Sequence, residues 1–470
     1  VTEHSEATTG TGPAGHKGGD HQRGAAVTEQ AVSILARHPW VEAAWWDQGR
    51  NAVLVRPAAA AVAVRPVPGP LLTEHLEHWR HVYEYVYATA QGRHGDDLDL
   101  SGWRASDTGK PFPREHMIEW IEHAVALILR DKPRVVIELG CGSGLLAHRV
   151  HRSTRAYVGI DVAEPAVQRL RAQALPGVRV LQGAAHELTS PAVTTALREA
   201  TDDDAAAPDC VVLNSVTQCF PNEQYLTAVL DDALDLVAPG GTVVVGDIRN
   251  LANAKGFARW LETARNPEST EPQLAARAAD RLAADEELLC DPRLFARIAD
   301  RHRRDIRTTC YAKPLREDTE LTRYRYDIVY TVDVPAPETA RTIEWPELTA
   351  ERLRDANLTR EPTLVTGIPN ALLDPHAPDA IHPAELAAAL PPSWAVLLDS
   401  ADGHLLAVGP PELYRDRDAV RDNDSTVGSN DPNTTFVQRR LPEILTDYLE
   451  RELPTAATPD IAVAQEPTVP

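Results

Sequence analysis

A doubly wound α/β fold, a mostly parallel sheet with helices on both faces, is the class that the sequence predicts. Three observations predict it. Short, mostly β-branched runs recur at Arg134–Leu139, Ala156–Ile160, Val178–Leu181, Cys210–Leu213 and Thr242–Gly246. Helical stretches separate them, so each strand can return parallel to its predecessor by a crossover. A glycine-rich loop, Glu138-Leu-Gly140-Cys141-Gly142-Ser-Gly144, follows the first of these strands and is expected to open a helix at Leu145.

The other elements follow in chain order. Residues 1–24, rich in Gly, Thr, His and charge and without an apolar run, read as a disordered arm rather than a secretory signal. Residues 25–57 hold a short helix pattern and two strand-like runs, Val41–Trp46 and Ala52–Val55. Residues 58–70, with Ala-Val repeats and three prolines, form a linker. The α/β segment spans 71–333. Its first helices are expected at Thr73–Tyr87 and Arg114–Leu129, and its last two strands, Arg307–Tyr311 and Tyr326–Val332, are expected to pair as an antiparallel edge. Residues 334–413 read as a small α+β appendage, with apolar runs at Pro362–Gly367 and Trp394–Leu398. Residues 414–470 hold a mobile polar segment, an amphipathic helix at Leu441–Leu453 and a Pro/Ala-rich tail.

Charge narrows the choice of partners. The 470 residues carry 47 basic and 69 acidic side chains, a formal net charge of -22. Phosphate-rich nucleic acid and anionic membrane are repelled by such a chain, and no run reaches the length of a membrane helix. The five cysteines lack C-x-x-C spacing, so they read as reduced thiols of a cytoplasmic protein with no zinc site.

The glycine loop carries the chemistry. Its glycines let a ligand approach the backbone, and a following helix would offer free N–H groups. Leu145 stands where a dinucleotide fingerprint needs Gly or Ala, and no Gly-Lys-Ser/Thr is present. Glu138 disfavours a phosphate and suits a cation. S-adenosylmethionine, with its ammonium, sulfonium and carboxylate, matches that mixture. Asp161, beside Val162 at the next strand's tip, suits ribose hydroxyls; the alternative is an N-cap for the helix near Glu164. After the third strand, Ala185 and His186 are placed for backbone contacts to the cofactor, or simply start a solvent-facing helix. Asn214, Ser215 and Gln218 follow the fourth strand, outside whose carboxyl end ligands bind. Gln218 has a second reading, a bond to its own loop.

Several further signatures join these. They include Glu74-His-Leu-Glu-His-Trp79, Ser106-Asp-Thr-Gly-Lys-Pro111, Leu213-Asn-Ser-Val-Thr-Gln-Cys-Phe-Pro221, Gly246-Asp247-Ile-Arg249 and Glu320-Leu-Thr-Arg-Tyr-Arg-Tyr-Asp327. Together they resemble a class I S-adenosylmethionine-dependent methyltransferase, with a Rossmann-like sheet. The resemblance is to the methyltransferase domains embedded in nonribosomal peptide synthetases. Cys219, where an aromatic residue is usual, and Asp107 depart from the pattern. Residues 36–44 and 447–454 are similar to two parts of the small C-terminal subdomain of an adenylation domain. The chain therefore looks like a freestanding insert with remnants of its host, without the adenylation core or its terminal lysine.

The resemblance implies methylation in specialised metabolism, of the antibiotic-forming kind, on an amine of an amino acid or of a carrier-bound aminoacyl or peptidyl group. An O- or C-methyltransferase and a non-catalytic accessory module are the rivals. The cofactor set is Glu138, Gly140, Cys141, Gly142, Gly144 and Asp161, with Val162, Ala185, His186, Asn214 and Ser215. Asn214, Gln218 and Glu119 are the catalytic candidates; the alternative for Glu119 is a solvated helix position. No metal is expected, and the oligomeric state is open.

Overall fold

The computed structural model describes residues 27–89, 97–201, 207–334, 341–345, 362–400, 403–409, 427–454 and 458–464. The expected disordered arm, 1–24, and most of the expected mobile segment, 414–426, lie outside the described residues. The chain divides into two compact units, Val1–Thr73 with Thr434–Pro470, and Glu74–Asn433.

The smaller unit is built from both chain ends. Strands β1 (Val41–Asp47) and β2 (Ala52–Pro57) form an antiparallel hairpin. Its core joins Ile34, Leu35, Val53 and Val55 to Val437, Leu441 and Leu445 of the last helix. The expected linker at 58–70 contains a one-turn helix, Ala59–Val62.

The larger unit holds the predicted parallel strands: β3 (Val135–Leu139), β4 (Ala156–Asp161), β5 (Val178–Gln182), β6 (Cys210–Asn214) and β7 (Thr242–Arg249). They lie in the order β7-β6-β3-β4-β5, all parallel. The chain winds outward from β3 in both directions. Right-handed crossovers then place the helices of the two halves on opposite faces and leave a switch point between β3 and β6. Residues of β3, β6 and β7 are buried throughout, as a doubly covered sheet requires.

The sheet extends beyond the prediction. Strands β8 (Ile306–Tyr311) and β9 (Arg325–Val332) pair antiparallel, with β9 against β7. They are not an edge, because four more strands continue the sheet: β10 (Arg341–Glu344), β11 (Thr363–Ile368), β12 (Ala395–Leu398) and β13 (Leu405–Gly409). The segment read as a small α+β appendage continues the main sheet, joined where Leu397 of β12 meets Tyr311 of β8. Leu397, Leu406 and Val408 sit in the same core as Val136 and Val212. Strands β12 and β13 are largely buried on both faces, whereas β10 at the far edge is mostly exposed.

The final helix runs Pro432–Glu452, starting earlier than expected. The tail beyond it contains β14 (Asp460–Val463), which adds parallel to β2 and completes a three-stranded sheet in the smaller unit. Among the described residues no helix is long and apolar enough to cross a membrane.

Candidate active site

The carboxyl ends of β3 and β6 open on a cavity of about 1180 Å³. Glu138, Gly140, Cys141 and Gly142 line it from the β3 side; Asn214, Ser215 and Gln218 line it from the β6 side. Local sequence explains the glycines. Gly140 and Gly142 have φ of 76° and 48°, in the left-handed region where an added Cβ is strained. A Cβ on Gly140 would stand 2.7 Å from Val216, and one on Gly142 would stand 2.5 Å from the Tyr87 hydroxyl. That hydroxyl comes from the helix Pro70–Thr89, which also presents Tyr83 to the cavity one turn earlier. The two tyrosine rings stack at 6.1 Å.

The loop spends its donors internally. The N–H groups of Gly140 and Cys141 both reach the Ile160 carbonyl, at 2.7 and 3.1 Å. The Gly142 N–H donates to Asp161 Oδ2 at 2.7 Å, while Asp161 Oδ1 accepts from the Ala163 N–H at 2.8 Å. The helix expected at Leu145 begins at Ala147 and lasts one turn, to Val150. A helix N-terminus with free N–H groups is therefore not the feature that this loop offers. Its acid is. Glu138 is buried, and its Oε2 has no hydrogen-bond partner among the described residues. Burial pushes its carboxyl well above the ordinary value, and the Asp161 carboxylate adds to the shift. Such an oxygen is satisfied by a ligand cation or donor.

The β6 side holds neutral amides. Asn214 is buried, with Oδ1 packed so closely on Gly246 that any Cβ there would collide with it. Gln218 takes the second of its two readings: its Nε2 donates to the Ser215 carbonyl at 2.8 Å and lies 3.3 Å from the Ser215 hydroxyl. Its Oε1 nevertheless stays buried and without a partner, on a residue that lines the cavity.

Six expected residues do not reach the cavity wall, for reasons that differ. Gly144 (φ 87°) is needed for packing, since a Cβ there would stand 2.7 Å from Leu170. Asp161 and Val162 lie behind the loop, the former occupied by Gly142 and Ala163. Ala185 and His186 lie in a short 3-10 turn, with the His186 Nδ1 2.9 Å from the Tyr225 hydroxyl. Glu119 is a correction to the catalytic candidates. Its helix turns Met117, Trp120 and Ile121 inward, so Glu119 falls on another flank. There its Oε1 accepts from Arg316 Nε at 2.9 Å and its Oε2 from the Arg316 N–H at 3.0 Å.

Sequence reasoning missed Trp120 and Asp247. The indole N–H of Trp120, on the cavity wall, donates to Asp247 Oδ1 at 3.0 Å. Asp247 belongs to a quoted signature, but no local pattern announces its role. Among the described residues no cluster of three metal-ligating side chains occurs.

A Rossmann-like switch point with a glycine loop and a buried, unsatisfied acid suits a nucleoside cofactor. The family described as "Methyltransferase domain" matches residues 114–275, which contain the loop and both strand tips. The chain is 30% identical over 380 residues to chondramide synthase cmdD of Chondromyces crocatus, covering 74% of this chain and 9% of that protein. It is 35% identical over 319 residues to the probable non-canonical nonribosomal peptide synthetase CymA of Salinispora arenicola, covering 67% of this chain and 4% of that protein. Among solved structures, the N-methyltransferase NodS of Bradyrhizobium japonicum matches at 12% identity and a TM-score of 0.29, over 47% of this chain and 98% of that one. The chain carries an S-adenosylmethionine-dependent methyltransferase domain related to those of nonribosomal peptide synthetases.

Proposed function

We propose that the domain methylates an amine nitrogen, on an amino acid or on an aminoacyl or peptidyl group held by a carrier, in nonribosomal peptide-type metabolism. S-adenosylmethionine supplies an electrophilic methyl on a sulfonium sulfur. Glu138 Oε2 is suited to hold a cationic ammonium, and Gly140 and Gly142 allow close approach. Asp161 serves the ribose only through lone pairs not used by Gly142 and Ala163.

The observation that carries the amine assignment is the unpartnered Oε1 of Gln218, which lines the same cavity as Asn214. An amide oxygen accepts an amine N–H and leaves the nitrogen lone pair free. It adds no formal charge that would favour the unreactive ammonium. An α-amine titrates near ~7.7–8.0, so no strong base is needed. The synthetase names of the relatives support an aminoacyl acceptor. The test is mass spectrometry with methyl-labelled cofactor and a panel of L-amino acids, free, carrier-bound and as N-acetylcysteamine thioesters. A label on nitrogen is expected; a label on oxygen or carbon overturns the assignment.

The same reading takes the smaller unit as a split adenylation-type subdomain, since the two segments that resemble it share one core. Experimental coordinates of that unit that do not superpose on such a subdomain would reject it.

A further inference from the structure

Behind the β6 side of the cavity lies a buried charged cluster. It begins with a backbone irregularity. Strand β7 slips against β9 between Val245 and Ile248: three steps on β7 answer two on β9, from Ile328 to Tyr326. The extra residue makes a bulge, which re-aims a side chain. Asp247 sits in it with φ 59°, and Ser215, just past the paired residues Asn214 and Gly246, has φ 54°. Two non-glycine residues in the left-handed region, side by side at adjacent strand tips, are held there by their surroundings.

Those surroundings are the cluster. Asp247 is fully buried and its N–H donates to Asp327 Oδ1 at 2.7 Å. Lys313, also buried, places Nζ 2.6 Å from Asp327 Oδ1 and 3.6 Å from Asp247 Oδ1. Arg325 approaches Asp247 Oδ2 at 3.4 Å and donates to the Asp247 carbonyl at 3.0 Å. His123 meets Asp327 at 2.9 Å. Two carboxylates are thus matched by one lysine and one arginine. The outward side of Asp247 holds cavity groups. Oδ1 accepts the Trp120 indole N–H, and Oδ2 accepts the Ser215 hydroxyl at 3.0 Å. With its proton given to Asp247, the Ser215 oxygen can only accept, and it and the Ser215 carbonyl both face Gln218 Nε2. The amide nitrogen is thereby committed to Ser215, and Oε1 is the carboxamide atom left without a partner.

We infer that Asp247, acting through Ser215, is the positioning residue of the acceptor side: it fixes the Gln218 carboxamide with its oxygen turned to the incoming amine. This rests on the proposed role of Gln218. Asp247 itself touches no reactant. Trp120 is oriented by the same carboxylate, so one buried acid sets two walls of the pocket.

The test needs no acceptor. Sinefungin carries a primary amine in place of the methylsulfonium, and S-adenosylhomocysteine carries neither. Calorimetric affinities of both are compared in wild type, Gln218→Ala, Asp247→Asn, Ser215→Gly and the double variant Ser215→Gly/Gln218→Ala. Glycine suits the φ of Ser215, so this variant decides the matter if Asp247→Asn does not fold. Gln218→Ala is expected to lower the preference for sinefungin by about tenfold, the loss of one good hydrogen bond. Asp247→Asn and Ser215→Gly are expected to lower that preference, the ratio of the two affinities, by about threefold or more. The double variant is expected to match Gln218→Ala alone, as residues acting in series do; a further drop on adding Ser215→Gly contradicts the relay. If Gln218→Ala lowers the preference and neither Asp247→Asn nor Ser215→Gly does, the positioning role is wrong. If Gln218→Ala leaves it unchanged, the role of Gln218 itself falls and the inference with it.

Discussion

The two sides of the cavity are held in place by opposite means. On the β3 side, the glycine loop is fixed by bonds to its neighbour strand: Ile160 and Asp161 take the N–H groups of Gly140, Cys141 and Gly142. All these residues lie between the end of β3 and the end of β4. On the β6 side, Ser215 and Gln218 depend on Asp247, and Asp247 on Lys313, Arg325, Asp327 and Trp120, gathered from across the sequence. The β3 side is the more local device, whereas the β6 side is assembled from across the sheet. It follows that the second depends more widely on the rest of the fold than the first.

The largest effect expected from that difference is at Lys313. Lys313→Met removes the cation between Asp247 and Asp327, both buried. Breaking a buried pair from one side costs about 3–5 kcal/mol. Chemical denaturation should show that loss; a change below about 1 kcal/mol would mean that charge does not hold the β6–β7 tips. Gly142→Val comes next. It forces a branched residue into φ 48° and against the Tyr87 hydroxyl, at a cost of about 1–3 kcal/mol. Calorimetry should find cofactor binding abolished, while the β6–β7 cluster is untouched.

Acid separates the two sides further. Burial works against the charge of Asp327, but Lys313 and His123 outweigh it and hold its pKa down to about 2, from 3.8. A lowered carboxylate pKa stabilises the fold above its unfolded value. That stability, roughly 2 kcal/mol, is lost as pH falls from near 4 toward 2. Unfolding free energies measured across that window check it, and Asp327→Asn should flatten the dependence. Glu138 has the opposite sign. Its folded pKa is raised, so its contribution is full below the ordinary carboxylate range and is lost as pH rises through the raised value. Glu138→Gln should therefore stabilise the ligand-free protein at neutral pH by about 1 kcal/mol, read as a higher denaturation midpoint.

The same contrast explains what the sequence made legible. The parallel strands and the loop were readable because β-branched runs, glycine spacing and strand tips are local patterns. Glu138, Gly140, Gly142, Asn214, Ser215 and Gln218 all fall on the cavity wall. Gly144 was misplaced because a packing glycine and a ligand-facing one look alike in a run of three. Glu119 was misplaced because helix phase, set by Trp120 in the core, decides which flank it occupies. The extension by β10–β13 was hidden because short apolar runs after Pro-rich joints do not say which strand they will pair with. The role of Asp247 was invisible, since a bulge depends on the register of a partner strand some 80 residues away.

The measurement that bears most directly on the account is calorimetric titration of S-adenosylhomocysteine into wild type and Glu138→Gln between pH 6 and 8. If the buried oxygen of Glu138 receives the ligand ammonium, wild type binds and releases protons on binding, because the ligand draws down a raised carboxyl pKa. Its affinity then rises with pH toward the raised value. Glu138→Gln should bind about tenfold or more weakly, the cost of a lost charge-assisted hydrogen bond, with the proton release gone. Equal affinity and equal proton release in the two proteins would contradict the placement of the cofactor in this cavity.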